Sequence, residues 1–305
     1  MYVRVLGSAA GGGLPQWNCA CANCRGVRAG TTRSARRTEA SLAVSADGAR
    51  WFLLNASPAV REQIEAFPPL HARAPRDTPI AGIVLTSGEL DHCLGLFVLR
   101  ESQPLTVWAT ERVRRGLVEG NVLFRALMRV PSQVTWRALD GESDVELTAG
   151  GEPTGLRVRA LPVPGRVPAH LAGLHAPHPG DTIGLRIRER GSDASLAYVP
   201  GAADVSPTVR ALLAGAACAF FDGTFWSDDE LVALGLGTAR ARDMAHLPVG
   251  GDGGSLAALA TVDVPSRYFT HLNNTNPLVR DDAPERAAVT AAGWRVAADG
   301  DEMRL

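Results

Sequence analysis

No lysine occurs among the 305 residues; all 31 basic side chains are arginines. That excludes Schiff-base chemistry through a lysine amine and a phosphate-loop lysine. Surplus charge is also lacking. The formal net charge of −1 speaks against a nucleic-acid partner and against an anionic-membrane surface. No apolar run reaches the roughly 20 residues of a transmembrane helix. The first residues, MYVRVLGSAAGGG, carry an early arginine and a glycine run where a signal peptide would carry a continuous apolar stretch. The expected location is therefore the cytoplasm.

The residues present are those of an ordinary globular protein, 46% hydrophobic and 21% charged. Strand-like runs are expected at Tyr2–Leu6, Ser41–Ser45, Trp51–Leu54, Gly82–Leu85, Leu105–Trp108 and Val134–Leu139. Further runs fall at Leu156–Leu161, Thr182–Ile187, Leu196–Val199, Ala217–Phe221 and Arg267–Thr270. Helical patterns are interspersed at Pro58–Phe67, Leu94–Glu101, Thr110–Glu119, Pro207–Ala214, Ser255–Ala260 and Pro284–Ala291. This order suits a mixed α/β fold of two mixed sheets flanked by helices better than an alternating barrel. The segment Pro162–Gly180, rich in proline, glycine and histidine, reads as a long loop near a site.

The five cysteines are an odd number, and without an expected export signal their spacing reads as metal or redox chemistry rather than a disulfide framework. Three of them, Cys19, Cys21 and Cys24, fall within six residues of a glycine-rich loop. Thiolates this close can surround one Zn²⁺ at about 2.3 Å each, so a structural zinc is expected here, with a fourth ligand from elsewhere. Asn274 is placed to approach the cluster, although a carboxamide is an unusual zinc ligand. Cys93 and Cys218 lie in apolar settings and read as packing residues.

Three apolar strands end in metal-capable groups. Ile83-Val84-Leu85 leads into Thr86-Ser87-Gly88-Glu89-Leu90-Asp91-His92, Phe220-Phe221 ends at Asp222, and Tyr268-Phe269-Thr270 ends at His271. Each has a bland explanation; Asp91, for example, suits the cap of a helix beginning at Leu94. Their agreement is what points to a site at one sheet edge. His246, before a glycine-rich loop, is a fourth candidate, whereas His71, His170, His175 and His178 read as surface loop residues.

These residues resemble the metallo-β-lactamase superfamily, whose first motif, His-x-His-x-Asp-His, falls on Ser87-x-Glu89-x-Asp91-His92. More closely, the chain resembles the pyrroloquinoline quinone (PQQ) biosynthesis protein B family. The resemblance is carried by GSAAGGGLPQWNCACANC (7–24), LLNASPAVREQI (53–64), GDTIGLRI (180–187), FFDGTFWSDDE (220–230) and THLNNTNP (270–277). It implies one metallo-β-lactamase-like αββα sandwich over residues 1–305, zinc on the cysteine cluster, and a role in making PQQ.

In the superfamily's dinuclear hydrolases, one metal needs the two histidines that Ser87 and Glu89 replace here. The other metal's set survives as Asp91, His92, Asp222 and His271, so a single active-site metal is expected. Glu89 retains a carboxylate able to coordinate; Ser87 is a poor ligand. Two histidines with carboxylates and open positions match a non-haem Fe(II) oxygenase, although the same groups could hold Zn²⁺. The resemblance implies an Fe(II)- and O₂-dependent hydroxylase acting on the tyrosine moiety of a peptide-derived, cross-linked Glu–Tyr intermediate. Asp91, His92 and His271 are expected as iron ligands and Asp222 as ligand or anchor. His246 is the candidate to handle protons or orient the phenol, since a neutral imidazole suits both near pH 7. Unspecified arginines are expected on the substrate's carboxylates. A mononuclear zinc hydrolase and a non-enzymatic carrier assisting PQQ transport are the competing readings, and a homodimer is compatible with the sequence.

Overall fold

The computed structural model describes residues 1–119, 121–139, 141 and 143–305. Two seven-stranded sheets face each other. The first contains β1 (Tyr2–Gly7), β2 (Ser41–Ser45), β3 (Trp51–Leu54), β4 (Ile80–Val84), β5 (Leu105–Ala109) and β6 (Val134–Ala138). The second contains β7 (Val145–Ala149), β8 (Glu152–Pro162), β9 (Ile183–Glu189), β10 (Ser195–Val199), β11 (Cys218–Asp222), β12 (Ser266–Thr270) and β13 (Arg295–Val296). The last strand, β14 (Glu302–Arg304), returns to pair with β1, so the first sheet runs β14-β1-β2-β3-β4-β5-β6.

Both sheets change character midway. Pairing is antiparallel from β14 to β3 and parallel from β3 to β6. In the second sheet it is antiparallel from β7 to β10 and parallel from β10 to β13. Parallel pairs need crossovers, and these supply the helices that cover the outer faces.

Strand alternation builds the layers. Val3, Val5, Leu42, Val44, Phe52 and Leu54 point between the sheets, where they meet Leu156, Val158, Leu185 and Leu196. Their neighbours Ala43, Trp51 and Leu53 face outward, under Val60, Leu96, Val113 and Leu117 of the covering helices. On the far side Val199, Phe221 and Phe269 pack beneath Val209, Leu212 and Val289. The central strands β2 to β5 and β10 to β12 are buried on both faces and read as nearly continuous apolar runs. Strands β7 and β8 instead alternate and carry exposed pairs such as Arg157 with Glu146.

The runs expected to be strands all fall on strands, with ends displaced by a residue or two except at β8, which begins four residues before the expected Leu156. Val145–Ala149, Arg295–Val296 and Glu302–Arg304 were not anticipated, and the last two are too short to carry a period-2 pattern. The helix expected over Leu94–Glu101 is instead two short helices, Leu90–Cys93 and Gly95–Val98. Gly95 sits so close to the chain at Ala56–Ser57 that a Cβ would stand 2.4 Å from the Ser57 carbonyl oxygen. Asp91 accordingly does not cap a helix starting at Leu94. The capping position belongs to Glu89, and Asp91 occupies the first turn. The cysteine cluster is likewise only half in a loop, since Cys24 lies in a helix spanning Ala22–Ala29. No helix among the described residues is long and apolar enough to cross a membrane.

Candidate metal centre

Parallel strands deliver the candidate ligands to one end of the sandwich. Asp91 and His92 follow the carboxyl end of β4, Asp222 is the last residue of β11, and His271 directly follows β12. Residues outside the carboxyl ends of parallel strands are free of the ladder and can turn toward a shared cavity. The backbone bends sharply to do so: His271 and Ala245 both take left-handed conformations, at φ 59° and 61°. Non-glycine residues adopt these at a cost that the surrounding packing must offset.

Asp91, His92 and His271 form one group whose ligand atoms lie within 4.8 Å of one another; Asp222, His246 and His271 form a second. His271 belongs to both. The hydrogen bonds separate their roles. Asp222 is fully buried, and its Oδ1 accepts from the Thr224 amide at 3.0 Å and the Thr224 hydroxyl at 2.6 Å. Its Oδ2 accepts from the Ala202 amide at 2.9 Å and faces His246 Nδ1 at 2.6 Å. Both oxygens are thus occupied by donors, which fits an anchor for His246.

Thr224 passes the order onward. With its hydroxyl hydrogen given to Asp222, its oxygen accepts from His271 Nδ1 at 2.8 Å. That fixes the His271 tautomer and leaves the Nε2 lone pair facing Asp91 Oδ2 at 3.0 Å. A proton on Nε2, which makes His271 an imidazolium hydrogen-bonded to Asp91, satisfies this pair, and a metal ion can take the proton's place. His92 completes the picture: its Nδ1 lies 2.8 Å from Ser87 Oγ, and its Nε2 is buried with no partner. A buried ring nitrogen without a partner is costly unless it holds a metal. The donor set therefore fits a divalent ion on Asp91, His92 and His271.

Electrostatics agree with that charge pattern. Burial works against the Asp91 carboxylate, yet the charges of His92 and His271 and the His271 hydrogen bond hold it below the usual carboxylate range. Burial likewise opposes Asp222, which the charge and hydrogen bond of His246 hold low. Burial pushes His92 down to about 4, leaving its imidazole neutral and fit to ligate. For His271 burial is outweighed by the Asp91 carboxylate, and its affinity for a positive charge rises.

A cavity of about 420 Å³ opens over these groups. Its lining includes His92, His271 and His246 together with the apolar side chains of Leu90, Phe225 and Met244. The loop Pro162–Gly180 does lie beside the site, contributing Gly165, Arg166 and Ala169 to the rim. Of the loop histidines, His175 Nδ1 lies 3.2 Å from Arg112 Nη1, and His178 Nδ1 accepts from the Gly180 amide at 3.0 Å. His170 is not the surface residue expected, since both its ring nitrogens are buried without a partner. His71 is half-exposed at the surface, as anticipated.

Glu89, which retained the capacity to coordinate, joins neither group; its carboxylate pairs with Arg166 Nε at 3.1 Å. Ser87 has become a hydrogen-bond partner of His92. Thr224 was missed, although an aspartate followed two residues later by threonine at a turn is a local hydrogen-bond pattern readable in sequence. Asn55 was missed too. Its left-handed backbone, at φ 66°, and its Oδ1, which accepts from the Thr86 amide and hydroxyl, steady the loop before His92.

The cysteine cluster is a separate place. The three sulfurs lie within 4.8 Å of one another, and the Asn274 side-chain nitrogen stands 3.2, 3.6 and 3.3 Å from Cys19, Cys21 and Cys24. Cys21 caps the helix Ala22–Ala29, its sulfur accepting from the Cys24 amide. Burial raises the Cys24 thiol to about 11, whereas at Cys19 burial is outweighed by hydrogen bonds from Cys21, Cys24 and Asn274. Three converging thiols fit three of the four ligands of a structural zinc, while the Asn274 amide nitrogen donates to the sulfurs and is not itself a ligand. Cys93 and Cys218 are buried, and burial raises each to about 12, as inert packing thiols.

The two-sheet sandwich with ligands at its strand ends defines the class. Residues 50–272 match the family model described as the beta-lactamase superfamily domain. Among curated proteins, the coenzyme PQQ synthesis protein B of Azotobacter vinelandii is 43% identical over 100% of both chains. Its counterpart in Pseudomonas entomophila is 42% identical, again over 100% of both. The solved structure of Zn²⁺-bound PqqB from Methylobacterium extorquens superposes with a TM-score of 0.93 at 42% identity, covering 100% of each chain. A diphosphatase of the PhnP family shares the fold at a TM-score of 0.67, 21% identity and 100% and 97% coverage. The chain belongs to the coenzyme PQQ synthesis protein B family.

Proposed function

We propose that the chain is an iron(II)- and O₂-dependent hydroxylase of PQQ biosynthesis, acting in the cytoplasm on the tyrosine-derived ring of a peptide-derived, cross-linked Glu–Tyr intermediate. The observation that carries this reading is the unpartnered His92 Nε2, facing a cavity beside Asp91 and His271. Asp91, His92 and His271 would hold one metal through two histidines and one carboxylate, a donor set that suits oxygen chemistry. With serine and glutamate at 87 and 89, the chain lacks the two motif histidines with which the superfamily's dinuclear hydrolases hold their other metal. Iron(II) in this site supplies the oxygen activation that side chains alone cannot.

The chain's own residues do the rest. The Asp222 carboxylate holds His246 Nδ1 at 2.6 Å, which directs the Nε2 lone pair to the work of accepting a proton from a phenol or catechol. Stacking of the His246 ring on His271, with centroids 5.4 Å apart, fixes its plane. Phe225 and Met244 offer apolar surface for an aromatic ring.

The test is anaerobic loading with Fe(II), followed by oxygen uptake with a tyrosine- or dihydroxyphenylalanine-containing peptide. Uptake is expected, and it should be abolished in His92→Ala and His271→Ala. Turnover with Zn²⁺ and none of the oxygen chemistry with Fe(II) would sink the hydroxylase and favour a zinc hydrolase. Tight binding of the intermediate with no turnover under either metal would favour a carrier.

A further inference from the structure

Glu89 stands where the superfamily motif has a metal-binding histidine, yet its carboxylate is directed to the cavity rim. There Oε1 accepts from Arg166 Nε at 3.1 Å and Oε2 is 3.4 Å from the Ala169 amide. Arg166 is the one arginine in the cavity lining among the described residues. Among those residues its side chain is hydrogen-bonded through Nε alone, so both terminal nitrogens of the guanidinium remain for another partner. The pair is not sealed in the core: the side chains are 41% and 23% exposed. An ion pair so exposed adds little to folding stability, so stability is a weak reason for its being there.

The placement has a chemical use. A guanidinium held at Nε presents its two remaining nitrogens as a planar fork, the geometry that takes a carboxylate in two parallel hydrogen bonds. The same cavity offers the apolar walls of Leu90, Phe225 and Met244 and the metal-facing histidines. We propose that Arg166 is the carboxylate-binding residue of this cavity, with Glu89 as the positioning residue that aims it. The ligand it selects is an aromatic acid whose ring lies along the apolar wall. This assignment rests on the hydroxylase reading for the identity of the physiological substrate, but not for the binding itself. It also explains Glu89: the acid is kept from the metal and turned into a support for substrate recognition.

The experiment uses the zinc-loaded full chain, with 3-(4-hydroxyphenyl)propionate and its carboxamide as probes in titration calorimetry. The acid is expected to bind about tenfold or more tightly than the amide, because a bidentate charged contact is at stake. Arg166→Gln should weaken the acid to the level of the amide and leave the amide unchanged. Glu89→Gln keeps an acceptor for Nε and should retain or tighten acid binding, whereas Glu89→Ala should weaken it several-fold. Metal content should be unaltered in all three variants.

Equal affinity of the wild type for acid and amide would overturn the assignment, as would equal effects of Arg166→Gln on both. So would loss of pocket metal in Glu89→Gln, which would make Glu89 a ligand. Acid selectivity that disappears in Arg166→Gln, in a chain that consumes no O₂ with iron(II), would keep the arginine and remove the hydroxylase. Oxygen uptake with an unaltered KM in Arg166→Gln would do the reverse.

Discussion

Two groups of metal-capable side chains occupy the same end of this molecule and are built in opposite ways. Cys19, Cys21 and Cys24 lie within six residues, closed over by the Asn274 side chain. Asp91, His92 and His271 come from two different sheets and face an open cavity. A short turn can bring three thiols together whatever the rest of the fold does. The open site exists only when β4 and β12 are both in register, and its ligands are aimed by partners such as Thr224 and Ser87. The loop Thr270–Pro277 joins them: His271 serves one group, and Asn274, three residues on, serves the other. A closed site suits structure, and an open one suits chemistry.

The sharpest break of that comparison is expected at the cysteines. Cys21→Ser should lose the zinc and, with it, stability on the order of 5 kcal/mol, since a structural metal contributes folding energy directly. Metal analysis and thermal unfolding check this, and the pocket metal should stay; loss of both metals at once would show that the two sites are one. Next in size, if His246 has the proposed proton-handling role, His246→Ala should lower turnover about 10²- to 10³-fold while the pocket metal stays bound. Metal loss in that variant would move His246 into the ligand set.

A smaller effect is expected at Glu230, which ties the shared loop down. Its buried carboxylate accepts from the Thr275 hydroxyl and from the Trp226 amide at 2.8 Å, and burial raises it to about 7. A carboxyl raised on folding stabilises fully below its ordinary value near 4.5, and the contribution fades as pH climbs through about 7. Wild-type stability should therefore fall by up to about 3 kcal/mol between about pH 4.5 and pH 8, and Glu230→Gln should remove that slope. Unfolding midpoints across that range would show it; identical slopes in the two proteins would refute it. The smallest change belongs to Ser87→Ala, which removes the hydroxyl beside His92 Nδ1. About a tenfold loss of pocket-metal affinity is expected, measured by competition with a chelator, with the cysteine site untouched.

Much of this comparison was legible in the residues. The three thiols announce themselves by spacing, and Asp91, His92, Asp222 and His271 by their positions at the ends of apolar runs. The central strands were readable because burial on both faces leaves β-branched and aromatic runs. Short elements were not. The edge strand Glu302–Arg304 pairs with β1 only because the chain end returns there, and nothing local marks it. The helix expected from Leu94 is two short helices, Leu90–Cys93 and Gly95–Val98, and the second opens where Gly95 packs on the distant Ala56–Ser57 backbone, a contact no local pattern marks.

Element types, the cysteine cluster and the identity of the groups able to hold a metal follow from residue kind and local spacing alone. What those groups do for one another was settled by packing in three dimensions. Asp222 anchors His246, Thr224 sets the His271 tautomer, and Glu89 turns to Arg166 and away from the histidines. These contacts, 2.6 to 3.1 Å long, join residues as much as 77 positions apart, and no spacing along the chain encodes them.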